Sequence, residues 1–338
     1  MGHQARQAHQ DDVPTPCIDT QNVFLCRNPR GGWVIVWMAR SLGRHDLGVM
    51  LLIPADVVHP RRPDAHFADE ARAAREVGVE VALVDHDALA TSGGAARAVA
   101  RLPESATQRV AVYRGWMLRS EQYVAFAEAL AQRNIVLRTS PEQYRRAHEL
   151  PGWYAALADV TPSTVWTRGD GRDDFTRACA DLGRGPAVLR DYTKSMKHYW
   201  HEAAFIPEVA DTAGAWTVAS RFRQLRGDDF TGGFVVRRFE KFVSAEARTW
   251  WVNGVCRLVG PHPDTPHDDP PADLAPATIA PVVAALQLPF VAVDLARRGD
   301  GAWRVVEVGD GQVSDRPTTI TADDLLATIA DGIGAESG

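Results

Sequence analysis

Two short apolar runs near the C-terminus constrain this chain most: Phe290-Val-Ala-Val-Asp294-Leu-Ala296 and Trp303-Arg-Val-Val-Glu307-Val308, joined through Gly299-Asp300-Gly301. Small Gly and Asp residues suit positive φ, so the pair reads as a tight hairpin. Hairpin strands lie about 4.8 Å apart, and each strand carries one acid, Asp294 and Glu307. Two carboxylates on one face of such a pair repel each other unless a cation sits between them. Hard oxygen donors of this kind favour Mg²⁺. The same residues also read as a surface hairpin with two solvated acids, because charged side chains are mostly exposed. The hairpin alone leaves both readings open.

The 338 residues are enough for one large domain or two to three lobes. A net charge of -6 and a pI of about 6.0 argue against a general nucleic-acid binder, which would be basic. No run of about 18 apolar residues occurs, so no membrane-spanning helix is expected. Cys17, Cys26, Cys179 and Cys256 are scattered without a CxxC pair. A zinc site or disulfide framework is therefore not expected, and the cytoplasm is the expected compartment. Oligomeric state is not legible.

Residues 1–48 mix His, Gln, Asp, Pro and Arg without period, apart from an apolar island at 33–39. They are expected to be a disordered extension. From residue 49 the pattern is α/β. Strands are expected at 49–53, 79–84, 110–113 and 134–138, alternating with helices at 67–77, 95–101 and 120–133. Ser140-Pro-Glu-Gln143 is a capping box that opens another helix. This alternation predicts a parallel sheet, whose ligands collect at the carboxyl ends of the strands. Arg114, just past the third strand, is a candidate anion or substrate contact. No GxGxxG follows the first strand and no GxxxxGK[ST] occurs, which disfavours nicotinamide-binding and P-loop folds.

Further on, a strand at 187–189 runs into Arg190, Lys194 and Lys197, a cationic cluster suited to a polyphosphate. A strand then ends in Arg237-Arg-Phe-Glu240, and a strand and return follow at 246–259. Residues 233–259 are expected to form an antiparallel meander. The loop 261–277 holds His262, His267, Asp264, Asp268 and Asp269 and is expected to be solvated rather than metal-binding. Trp116, Trp153, Trp200, Trp250 and Trp251 are expected in the core.

The order of these pieces, with Val112-Tyr-Arg-Gly115, Ser140-Pro-Glu-Gln-Tyr144, His148-Glu-Leu-Pro-Gly-Trp153 and Glu307-Val-Gly-Asp-Gly-Gln312, resembles the ATP-grasp superfamily. It is most similar to the clade with an Arg/Lys exchange at a conserved nucleotide-binding position. The resemblance covers roughly residues 50–330. It implies an α/β fold that becomes α+β in the C-terminal half: a parallel pre-ATP-grasp domain at 49–150, then two ATP-grasp lobes with antiparallel sheets at 151–232 and 233–335.

The resemblance also implies ATP and Mg²⁺ as cofactors. Arg190 falls at the phosphate-binding position, with Lys194 and Lys197 on the adjoining loop. Arg237, Arg238, Phe239 and Glu240 fall at the adenine hinge, where main-chain groups would meet the base. Glu246 falls at the ribose-binding acid, and Asp294 and Glu307 at the metal. The family's Asn two residues after the second acid is Gly309 here, so Asp310 or Gln312 is expected to supply that ligand, with Gln312 also a substrate contact. Arg145 or Arg146 stands in for an earlier nucleotide-site Lys. Arg248 is expected to hold phosphate or the acyl intermediate. The implied activity is ligation of a small-molecule or peptide carboxylate to an amine or thiol through an acyl phosphate. A nucleotide-binding regulatory or scaffold module, or a kinase on the same scaffold, are the alternatives.

Overall fold

The computed structural model describes residues 49–331 and, before them, two strands, β1 (Val23–Arg27) and β2 (Trp33–Trp37), which pair antiparallel as a hairpin. The rest of the N-terminal stretch expected to be an extension lies outside the described residues.

The first sheet of the main unit is parallel, in the order β4-β3-β5-β6. Its strands are β3 (Val49–Pro54), β4 (Glu80–Val84), β5 (Arg109–Tyr113) and β6 (Ile135–Leu137). Strand β3 is buried along its whole length, as a central parallel strand covered on both faces must be. The helix at Pro141–His148 begins at the expected capping box, with Ser140 and Gln143 satisfying each other's backbone amides.

The second sheet is antiparallel, in the order β7-β10-β8-β9, with β7 (Thr164–Trp166), β8 (Ala187–Arg190), β9 (Phe205–Ile206) and β10 (Val235–Arg238). Its core runs through Phe175, Leu189, Phe222, Phe234 and Val236, between the sheet and helices at Arg172–Leu182 and Thr212–Arg226. The third sheet, order β12-β11-β13-β14, is also antiparallel. It comprises β11 (Ala247–Val252), β12 (Val255–Pro261), β13 (Phe290–Arg297) and β14 (Trp303–Asp310). The expected meander at 233–259 is thus corrected. Strand β10 pairs with β7 and β8, and residues 239–246 carry the chain over to a different sheet.

Alternation divides the third sheet cleanly. Trp250, Val252, Phe290 and Ala292 share a core with β3, Val112 and the helix at Ala322–Asp331. Trp251, Val291, Val293, Leu295, Val305 and Val308 face the other way, onto Leu150, Trp153 and Val283. Trp153, Trp250 and Trp251 are core residues as expected, whereas Trp116 is 40% exposed.

Arg114 corrects another expectation. It is 1% exposed, and its guanidinium is fully engaged by protein. Nε and Nη2 donate to both oxygens of buried Glu70, at 2.7 and 2.9 Å. Nη1 donates to the carbonyls of Gly311, Gln312 and Ser314. It ties the first sheet to the turn after β14 and offers nothing to a ligand. Removing one partner of a buried ion pair strands the other charge, at a cost of about 3–5 kcal/mol. Arg114→Ala should lose that much in urea unfolding, while Arg114→Met with Glu70→Leu recovers most of it. A loss under about 1 kcal/mol in the single variant would contradict this structural role.

Candidate active site

The opening hairpin forms, and its register places the two acids side by side. Asp294 on β13 pairs with Glu307 on β14, and Arg248 on β11 pairs with Asp294 from the other side. Three charged residues therefore make one row across three strands. A bulge sharpens the arrangement. Leu295 pairs with Val305, so Val306 is the extra residue on β14. Val305 and Val308 consequently share the apolar face, and Glu307 is left on the opposite face with Asp294.

Guanidinium groups hold both acids. Arg248 grips Asp294 with Nε to Oδ1 and Nη2 to Oδ2, each 2.8 Å. Asp294 is 3% exposed. Arg190, at the end of β8, reaches from the second sheet to Glu307 Oε1 at 3.1 Å. Burial opposes ionisation of Glu307. Arg190, Lys194 and Arg248 outweigh it and hold the carboxyl down at about 2. Arg190 and Arg248 thus meet Asp294 and Glu307 at the junction of the two sheets.

Lys194 sits on the loop after β8, and Asp191 shapes that loop. Asp191 is fully buried. Its Oδ1 accepts from the amides of Thr193 and Lys194 and from the Thr193 hydroxyl. Its Oδ2 accepts from Arg226 Nε and the Thr231 amide. Asp191 is a positioning residue that the sequence reading missed. An acid inside a cation-rich string was the available signal. Lys197 is exposed and pairs with Asp264 of the 261–277 loop.

That pairing corrects the view of the loop as merely solvated. His262 Nε2 lies 3.6 Å from Asp294 Oδ2 and 3.8 Å from Glu246 Oε1. Donor atoms of Glu246, His262 and Asp294 all fall within 4.8 Å of one another. Arg248 Nη2, 3.3 Å from His262 Nε2, sits among them. Burial lowers the His262 pKa, against the pull of Asp294. Burial and the nearby Asp294 and Glu307 raise the Glu246 carboxyl.

The hinge residues are less open than expected. Arg237 pairs with Thr164 and Val188 within the sheet. Its side chain crosses to the Val305 and Val306 carbonyls and the Thr161 hydroxyl, and burial pulls its pKa down to about 9. Arg238 and Phe239 donate their amides to the Ser163 and Pro186 carbonyls. In this arrangement those amides are not available to a purine. The Glu240 side chain is held by Arg304 and Arg298. Arg146 does not reach the site; it binds the Leu286 carbonyl and Glu142.

Asp310 and Gln312 do not replace the missing ligand at 309. Asp310 pairs with Val291 and so points to the opposite face from Glu307. It is buried, accepts the Gln312 amide, and burial pushes its pKa up to about 6. Gln312 is wholly buried. It accepts from the Tyr113 amide and donates to the Tyr123 hydroxyl, so neither ligand nor substrate reaches it.

Residues 181–329 match a family model described as an ATP-grasp domain, family 3 of the clade with the Arg/Lys exchange, and this part of the chain is an ATP-grasp domain of that clade. Solved structures share the fold. D-cycloserine synthetase DcsG superposes with a TM-score of 0.57 at 19% identity, covering 84% of this chain and 99% of that one. A RimK domain ATP-grasp protein from Sphaerobacter thermophilus DSM 20745 gives 0.55 at 21% identity, with the same coverage. The ATP-grasp ligase PsnB, solved with minimal precursor, Mg and ADP, gives 0.51 at 13%, covering 86% and 99%. No curated protein matches the chain.

Asp310 supplies a test of the face assignment. A carboxyl raised on folding favours the native state fully below its unfolded pKa and loses that contribution as pH rises through the folded value. Stability should therefore fall between about pH 4 and pH 6 in the parent, and Asp310→Asn should flatten that slope in thermal melts. An unchanged slope would place Asp310 in a solvated setting.

Proposed function

We propose that the chain is an ATP- and Mg²⁺-dependent ligase that joins a carboxylate to an amine through an acyl phosphate. The carrying observation is the row Arg248–Asp294–Glu307 closed by Arg190 from the facing sheet. The reading divides the chain at 49–150, 151–232 and 233–335, and places the nucleotide between the last two segments.

The donor set fits the metal. Two carboxylates on facing register positions are hard oxygen ligands of the kind Mg²⁺ takes alongside phosphate oxygens. Asp294 and Glu307 would hold the ion, which when bound offsets charge on the phosphates. Arg190, Lys194 and Lys197 orient and neutralise the polyphosphate, with the Asp191 scaffold fixing the backbone at Lys194. Glu246, beside His262, is placed to meet the ribose. Arg248 holds the acyl phosphate oxygens, its planar fork binding two at once. The substrate carboxylate takes the γ-phosphoryl group and ADP leaves. The amine nitrogen then forms the C–N bond as the C–O bond to phosphate breaks, and the proton passes to solvent.

The partners on this reading are small-molecule or peptide acids and amines. DcsG, a synthetase, and PsnB, a ligase crystallised with precursor, support that class without naming the substrate. Cys179 and Cys256 are free thiols, in keeping with a reducing cytoplasm. Among the described residues no helix is long and apolar enough to cross a membrane.

The test is a screen of acid and amine pairs for Mg²⁺-dependent ADP release and product mass. Asp294→Asn and Glu307→Gln should each lower turnover by at least a hundred-fold, about 2.7 kcal/mol or more in barrier, with melting temperature retained. Parent-like turnover in both variants removes the metal assignment. Nucleotide binding without ADP release would point to a regulatory module, and a stable phosphorylated product to a kinase.

A further inference from the structure

The carboxyl ends of β4, β3 and β5 are adjacent in the first sheet, and each delivers rings to one spot. His86 follows β4, His66 and Phe67 follow β3, and Trp116 follows β5. The indole of Trp116 meets Phe67 and His86 edge-on, at centroid distances of 5.0 and 5.1 Å, with His66 at 6.2 Å. Three ring neighbours could have buried it, yet it stays 40% exposed. Gly115 sets this orientation, because a Cβ there would strike the Tyr113 ring at 2.3 Å.

The surroundings of the indole are acidic. Asp64, Asp85 and Asp87 lie within electrostatic reach of His86, and Asp315 Oδ1 bonds His66 Nε2 at 2.9 Å. Burial nonetheless keeps the His86 pKa below the ordinary value, and its Nδ1 bonds the Tyr113 hydroxyl at 2.8 Å. An electron-rich ring, a neutral imidazole wall and nearby carboxylates together suit a cation. The spot is continuous with the acid row, because the Asp315 carbonyl accepts from Arg248 Nη1 at 3.3 Å.

We propose that Trp116, with His66 and His86 as walls, seats a positively charged group of the amine substrate. The nucleophile is then a basic amine with two nitrogens. One stays protonated over the indole, while the other reaches the acyl group near Arg248. This inference rests on the ligase reading and names the substrate class for it.

The test uses the full chain with Mg²⁺ and ADP, titrated calorimetrically with cadaverine, propylamine and glutamate. Cadaverine should bind at least about five-fold more tightly than either of the others. Trp116→Ala should weaken it by about ten-fold, the range of a partly desolvated cation–π contact, while Trp116→Phe loses about three-fold. ADP affinity should not change in either variant. In turnover assays Trp116→Ala should raise KM for cadaverine with kcat largely kept. No cadaverine binding, equal binding in Trp116→Ala, or an equal preference for propylamine or glutamate overturns the proposal. Two failures can be told apart. Trp116-dependent cadaverine binding without ADP release for any pair defeats the ligase reading alone. Amine-dependent turnover indifferent to Trp116→Ala defeats the cation site alone.

Discussion

The registration of Asp294 against Glu307 is the constraint from which the rest of the site follows. Two carboxylates on neighbouring strands at the bottom of an inter-sheet junction cannot stand uncompensated. Arg248 answers the first from the same sheet, and Arg190 answers the second from the facing one. The second answer has a structural consequence, because Arg190 belongs to β8 and Glu307 to β14. The charge pairing therefore helps set how the two antiparallel sheets meet. Arg237 reinforces the junction from β10, donating to the β14 carbonyls of Val305 and Val306. Both links converge on the bulge at Val306, which frees Glu307 from the apolar face.

These same ion pairs have a bearing on ligand binding. In the ligand-free molecule, guanidinium groups neutralise the acids that a metal would otherwise satisfy. A nucleotide brings negative phosphates and its metal brings positive charge, so partners can be exchanged without creating new buried charge. An exchange of this kind avoids most of the desolvation penalty that an isolated buried carboxylate would carry. Glu307, held ionised at about 2 by cations rather than by exposure, is already in the protonation state a metal ligand needs.

Much of the fold was legible because local patterns and the tertiary structure agree. The apolar run at 49–53, the helix stop at Gly78, the capping box at Ser140 and the Gly-Asp-Gly turn each carry their own stereochemical reason. The acid row was legible because period-2 alternation and a tight turn fix register. Partnership at a distance was not. Arg114 stands at a strand end where a ligand contact is a fair expectation, but nothing near it in the sequence announces Glu70, 44 residues away. Asp310 and Gln312 looked available because they follow Glu307 closely. The three-residue step from Glu307 to Asp310 instead sends that side chain to the other face of β14. Strand β10 looked like part of a meander because it precedes β11 in sequence, while its pairing was decided by β7 and β8. His262 was hidden in a Pro- and Asp-rich loop whose path no periodicity encodes.

The Trp116 cluster belongs to the same category of information. Aromatic residues at strand ends read most economically as core, and for Trp250 and Trp251 that reading holds. Trp116 differs because the backbone before it can turn only with glycine at 115, and because His86, Phe67 and His66 arrive from two other strands. A parallel sheet sets its strand ends side by side, so loops far apart in sequence converge on a single surface. That surface runs through Asp315 to Arg248 and the acid row. The parallel domain and the antiparallel sheets are thereby joined through the short segment following Glu307: residues 311–314 anchor Arg114 of the first domain, and Asp315 links His66 to Arg248. Any displacement of this segment would move the rings of the first domain and the charged row of the third sheet together.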